Sequence, residues 1–192
     1  CGAGEAGRAL RSVIPGLHVT GIESDRAAAG RAREHLDVLL EGDAPQELSA
    51  LLAEGARFDA FLFADVLEHL EDPIGALAKA RALAEAGATL AASVPNVGHV
   101  SLVRDLMLGR FDPSPAGLED EGHLRWFSRS FLSDALGEAG WTVIAIEPVP
   151  GAPAPAAETF RDWLSAWPEA DSESLSTYQW IAVARAMESP NP

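Results

Sequence analysis

The sequence predicts an open α/β sheet, mostly parallel, with an antiparallel last strand. Three observations carry that prediction. Short apolar runs alternate with helix-length segments along most of the chain. The run Phe58–Ala64 is apolar almost throughout, which suits a parallel strand buried on both faces. A glycine-rich loop at the start, with Gly2, Gly4 and Gly7 in the G-x-G-x-x-G spacing, leads straight into a helix.

The elements follow in order. Ala6 to Val13 reads as a helix ended by Pro15 and Gly16. Leu17 to Glu23 reads as a strand. Asp25 caps a helix running to about Leu36. Val38 to Leu40 is a short strand closed by Gly42 and Asp43, and Pro45 to Ala53 is a helix. Phe58 to Ala64 is the fourth strand of the expected sheet, counting one that would lie before Cys1. Pro73 opens a helix to about Ala84, since proline fits a first helical position. Ala88 to Val94 is the next strand. His99 to Leu108 reads as a helix, 109–122 as a loop, and Ser128 as the cap of a helix from Arg129 to Leu136. Trp141 to Glu147 is a strand and 148–155 a short linker. Phe160 to Trp167 reads as an inserted helix, with Trp163 and Trp167 packed on the sheet. Tyr178 to Ala184 is the last strand, and 188–192 is expected to fray.

A glycine loop of this kind normally follows a strand, and none precedes Cys1. The first core strand is therefore expected to lie before Cys1 in a longer gene product. Without it these 192 residues are not expected to fold alone. The expected organisation is one domain over 1–187, with substrate-side helices and loop at 99–138 and an insertion at 151–175.

Charge and composition narrow the function. The net charge of −15 repels phosphate backbones, which argues against direct nucleic-acid binding. A small-molecule substrate or a protein partner is easier to accommodate. The longest apolar runs fall far short of the ~20 residues of a bilayer span. Cys1 is the only cysteine, so an internal disulfide and a thiolate metal cage are excluded. The expected location is the cytoplasm.

Five sites could carry chemistry. The loop glycines Gly2, Gly4 and Gly7 allow tight turning and close backbone approach to a nucleotide-like ligand. Glu23, at a strand end, could accept hydrogen bonds from two ribose hydroxyls. Asp43 could accept one from an adenine amino group, or bond its own backbone in a turn. If 65–70 is helical, Asp65, Glu68 and His69 share one face. They could hold a divalent ion, or Asp65 and Glu68 could line a cofactor pocket; no metal is assigned. In Gly117–Phe127, His123 could remove a hydroxyl proton near neutral pH. It could instead tie the loop to the body together with Arg125.

Taken together, the segments CGAGEAG, VTGIESD, EGDA, FDAFLFADVLEHLEDP and SVPNVGHVSLVRDLMLGRFD through GHLRWFSRSFLSDALGEAGW resemble class I S-adenosylmethionine-dependent methyltransferases. Within them the resemblance is to the MetW-like, small-molecule branch. The closing TYQWIAVARA is similar to the family's last strand. The resemblance implies a Rossmann-like sheet of seven strands, with the last antiparallel, and S-adenosyl-L-methionine as cofactor. It implies that Gly2, Gly4 and Gly7 hold the methionine part, Glu23 the ribose, Asp43 the adenine and Asp65 the amino end. Ubiquinone-pathway relatives carry a Glu-x-x-Glu-His metal site where this chain has Asp65-Val66-Leu67-Glu68-His69, so the first acid departs from their pattern.

The expected activity is methyl transfer to a small-molecule acceptor, a hydroxyl oxygen first, with His123 as the leading base and His69 as the second. Two alternatives stand beside it. A nicotinamide-dependent oxidoreductase fits the loop and Glu23, although the one tyrosine, Tyr178, lacks a lysine four residues on. A non-catalytic adaptor of the same fold fits if Trp163 and Trp167 are exposed together.

Overall fold

The computed structural model describes residues 1–152 and 155–187. These fall into two compact units, one over 1–57 and one from 58 onward.

The first unit is built on the glycine loop. Gly4 sits in the left-handed region at φ 80° and is the N-cap of α1 (Glu5–Val13). β1 (Thr20–Glu23) follows. Asp25 then caps α2 (Arg26–Ala32) by accepting from the Ala28 amide at 2.6 Å. β2 (Val38–Glu41) pairs parallel to β1 with Glu23 opposite Glu41, and α3 (Ala44–Ala53) closes the unit. Its core is made of small side chains. Ala28, Ala29 and Ala32 are buried, and Gly7 packs so closely that a Cβ there would lie 2.7 Å from Leu36 Cδ2. α2 stops at Ala32, short of the expected Leu36, and β1 starts at Thr20, later than the expected Leu17.

The second unit holds a four-stranded sheet. Its strands are β3 (Phe58–Ala64), β4 (Ala84–Pro95), β5 (Trp141–Pro150) and β6 (Thr177–Ala186), in the order β3-β4-β6-β5. β3 and β4 run parallel, and β6 is antiparallel to both its neighbours. The chain is thus α/β with an antiparallel last strand, as the sequence predicts. α4 (Pro73–Leu83) starts at Pro73 under an Asp72 cap, and α6 (Arg129–Glu138) under Ser128. Leu77, Leu90, Leu132, Leu136 and Trp180 form the apolar centre, each fully buried. A fully buried leucine contributes roughly 2 kcal/mol. The Trp141 indole donates to the Leu77 carbonyl at 3.0 Å, which joins β5 to α4.

α5 (Val100–Met107), α7 (Pro155–Ser165) and α8 (Ser172–Ser176) pack together through Val100, Ala157 and Leu175.

Four expectations need correction. β3 is not buried on both faces: Phe63 is buried, but Leu62 on the other face is 48% exposed. A sheet face that no helix covers stays open to solvent. Residues 65–70 are not α-helical. Asp65 takes a positive φ of 52°, and only a short 3-10 turn, Leu67–His69, follows. The expected linker shortens because β5 runs on to Pro150. Trp163 and Trp167 do not pack on the sheet; they are 60% and 61% exposed, because α7 uses Ala157, Phe160 and Leu164 to pack. The expected frayed tail, 188–192, lies outside the described residues.

Candidate active site

In the first unit the predicted cofactor residues share one rim. The Gly2 amide donates to Glu23 Oε2 at 2.6 Å. The Asp25 amide donates to Glu23 Oε1 at 2.9 Å. Glu23 is thus an anchored carboxylate with lone pairs to spare, the chemistry that a pair of ribose hydroxyls requires. The Gly42 amide donates to the Glu23 carbonyl at 3.0 Å, which brings the end of β2 to the end of β1.

Asp43 follows at the N-cap of α3, exposed, and makes no side-chain cap bond. It is therefore not the self-bonded turn aspartate. The glycines divide the work. Gly2 and Gly4 supply positive φ, and Gly4 lies against the α2 backbone, where a Cβ would stand 3.1 Å from Ala32 Cα. Gly7 permits close packing of α1. The residues present therefore fit an adenosyl group.

In the second unit, Asp65 stands at the end of β3. Its Oδ1 accepts from Ser93 Oγ at 3.1 Å and from Gln179 Nε2, so β4 and β6 both fix it. Glu68 is buried, and neither carboxylate oxygen has a partner among the described residues. Burial pushes its carboxyl up to about 7, helped by Asp65 and Asp120 and opposed by its own backbone amide and by His69.

The structure brings His69 and His123 together, with ring centroids 4.9 Å apart. His69 Nδ1 lies 2.9 Å from the Gly122 carbonyl, and His123 Nδ1 lies 3.2 Å from the Leu118 carbonyl. A carbonyl only accepts, so each Nδ1 is placed to donate a proton to its carbonyl, which leaves Nε2 as the ring atom not used in these contacts. The backbone holds the arrangement, because the Glu68 carbonyl accepts from the Leu124 and Arg125 amides at 2.8 and 3.0 Å. Arg125 does tie the loop to the body, through the Glu71 carbonyl.

Ligand atoms of Glu68, His69 and His123 lie within 4.8 Å of one another, so one divalent ion could reach all three. This is not the trio the sequence suggests, since Asp65 is engaged elsewhere. Glu68, Asn96, Leu102, Leu118, His123 and Trp126 border a narrow recess too tight to admit a water molecule.

A methyltransferase-domain family model matches residues 1–146. The chain belongs to the methyltransferase-domain family. It is an S-adenosylmethionine-dependent methyltransferase of class I fold, and the nicotinamide alternative is set aside. Solved structures agree on the fold. A SAM-dependent methyltransferase from Archaeoglobus fulgidus superposes with a TM-score of 0.68 at 15% identity, over 96% of this chain and 82% of that one. One from Mesorhizobium loti gives 0.64 at 15%, over 96% and 87%. A Haloferax volcanii complex, between the Trm112 methyltransferase activator and a methyltransferase, gives 0.63 at 17%, over 100% and 81%. No curated protein matches. Among the described residues, no helix of this methyltransferase is long and apolar enough to cross a membrane.

Two residues of the methyltransferase, Ser93 and Gln179, escaped the sequence assignment. Glu68 was read as a possible ion ligand or pocket liner, but its burial was not visible. Ser93 and Gln179, which fix Asp65, carry no motif; the one available signal was a polar residue inside an apolar closing strand.

Proposed function

We propose that this methyltransferase methylates a hydroxyl oxygen on a small molecule, as a cytoplasmic member of the MetW-like branch. Gly2, Gly4, Gly7, Glu23, Asp43 and Asp65 serve the cofactor in this reading. When bound, S-adenosylmethionine supplies an electrophilic methyl group on a positively charged sulfonium. The chain must hold the acceptor in line, exclude water and take its proton. His123 takes the proton at Nε2, with His69 as the second candidate. The observation that carries this is the contact of each ring's Nδ1 with a backbone carbonyl, at 2.9 Å for His69 and 3.2 Å for His123, which leaves Nε2 as the atom for the substrate.

The test is a full-length enzyme incubated with labelled S-adenosylmethionine and fractionated cell extract, followed by mass spectrometry of the labelled product. His123→Ala should lower kcat about 100-fold or more and leave cofactor affinity unchanged. Unchanged turnover removes His123 from the reaction.

A second reading of the same residues rests on the 4.8 Å cluster, which could bind a cation instead of a proton. Activity lost on chelation and restored by Zn²⁺ supports it; activity indifferent to chelation supports the imidazole base. The exposed Trp163 and Trp167 favour a partner surface, and the Haloferax methyltransferase bound to its activator offers a parallel. Cofactor binding without turnover on any acceptor would favour the adaptor reading.

A further inference from the structure

A run of aromatic rings leads outward from the histidine pair. His69 meets His123 edge to face at 4.9 Å. His123 meets Trp126 at 5.8 Å, and Trp126 meets Phe111 at 5.1 Å. The run ends in solvent, because Phe111 is 45% exposed and Trp126 is half-buried. Packing of the core does not need these outer two rings, since Phe127 fills that role at 1% exposure.

The surroundings are acidic. Segment 104–125 carries Asp105, Asp112, Glu119, Asp120 and Glu121 against Arg104, Arg110 and Arg125. Arg104 is paired with Asp105 at 2.9 Å, and Arg125 is spent on backbone carbonyls. Partial burial raises the Glu119 carboxyl, and the nearby charges of Asp105 and Asp112 raise it further.

We infer that Phe111 and Trp126 form the wall of an acceptor site for a phenol that bears no negative charge. Flat rings stack on flat rings, and the indole face attracts a cation. A carboxylate on the acceptor would meet Asp105, Asp112 and Glu119. The acceptor's chemistry points the same way: a phenol proton leaves about 6 units more readily than one from water, which an aliphatic hydroxyl resembles. The inference rests on the methyl-transfer reading for the reaction, but its binding claim stands apart from turnover.

The test measures binding of tyramine, 4-hydroxyphenylacetate and cyclohexanol to the full chain by saturation-transfer NMR titration. S-adenosylmethionine affinity is measured separately by calorimetry. Tyramine should bind at least about 10-fold more tightly than the other two. Phe111→Ala should weaken it about 5-fold and leave the fold, judged by circular dichroism, and cofactor affinity unchanged; Phe111 is exposed, so the variant does not open the core. Equal binding of the carboxylated phenol, preference for cyclohexanol, or an unchanged Phe111→Ala variant overturns the phenol site. Tyramine binding without cofactor binding sinks the methyl-transfer reading and spares the site.

Discussion

The Glu68 carboxyl is buried, lacks a hydrogen-bond partner among the described residues, and is pushed up to about 7. Such a group binds a proton in the folded chain between about pH 4.5 and 7, where the unfolded chain has released it. Stability therefore falls as pH rises across that window, by roughly 3 kcal/mol in all, and levels off above it. Glu68→Gln should remove that contribution. Urea unfolding at pH 5 and pH 8 should show the variant gaining relative to the parent at the higher pH; parallel behaviour of the two would mean Glu68 is not a lone buried acid. Asp65 shows how local backbone escapes a sequence reading. Its spacing to Glu68 and His69 suits a helix face, yet its φ of 52° breaks the helix before it begins. Aspartate is among the few non-glycine residues that tolerate this region, but most aspartates do not adopt it.

Elements with strong local punctuation were legible. Ser128 opens α6 by accepting from the Phe131 amide at 3.2 Å, and Pro73 opens α4 under Asp72. Ser128→Ala should cost about 1 kcal/mol of unfolding free energy, read by thermal or urea denaturation; no loss would mean that the α6 N-terminus is satisfied by other donors and acceptors. The loop glycines, Glu23 and Asp43 were legible for a related reason, since strand ends and turns bring them to one rim through short-range geometry. Glu68 and the His69–His123 pair were less so. Their meeting depends on Leu124 and Arg125, beyond the 109–122 loop, returning to the Glu68 carbonyl, a long-range contact that no periodicity encodes. The exposed Leu62 face and the exposed tryptophans were missed because burial depends on neighbours, while hydrophobicity is a property of the residue alone.

At the scale of the molecule, the charge of −15 disfavours the compact state through self-repulsion. Raising ionic strength from about 0.01 to 0.15 M shortens the Debye length from ~30 to ~8 Å, so Tm should rise by a few degrees; a Tm that falls would mean specific ion pairs outweigh the repulsion. The two sheets combine parallel β1 and β2 and parallel β3 and β4 with an antiparallel closing β6, the mixed arrangement the sequence predicts. Function in this fold belongs to the site and not to the sheet. The account therefore depends on the rim around Glu23. The direct measurement is calorimetric titration of the parent and of Glu23→Gln with S-adenosylmethionine and, separately, with NAD. The parent should bind S-adenosylmethionine and not NAD, and Glu23→Gln should bind it at least about 10-fold more weakly. Preference for NAD, or a Glu23→Gln variant that binds S-adenosylmethionine like the parent, would contradict it.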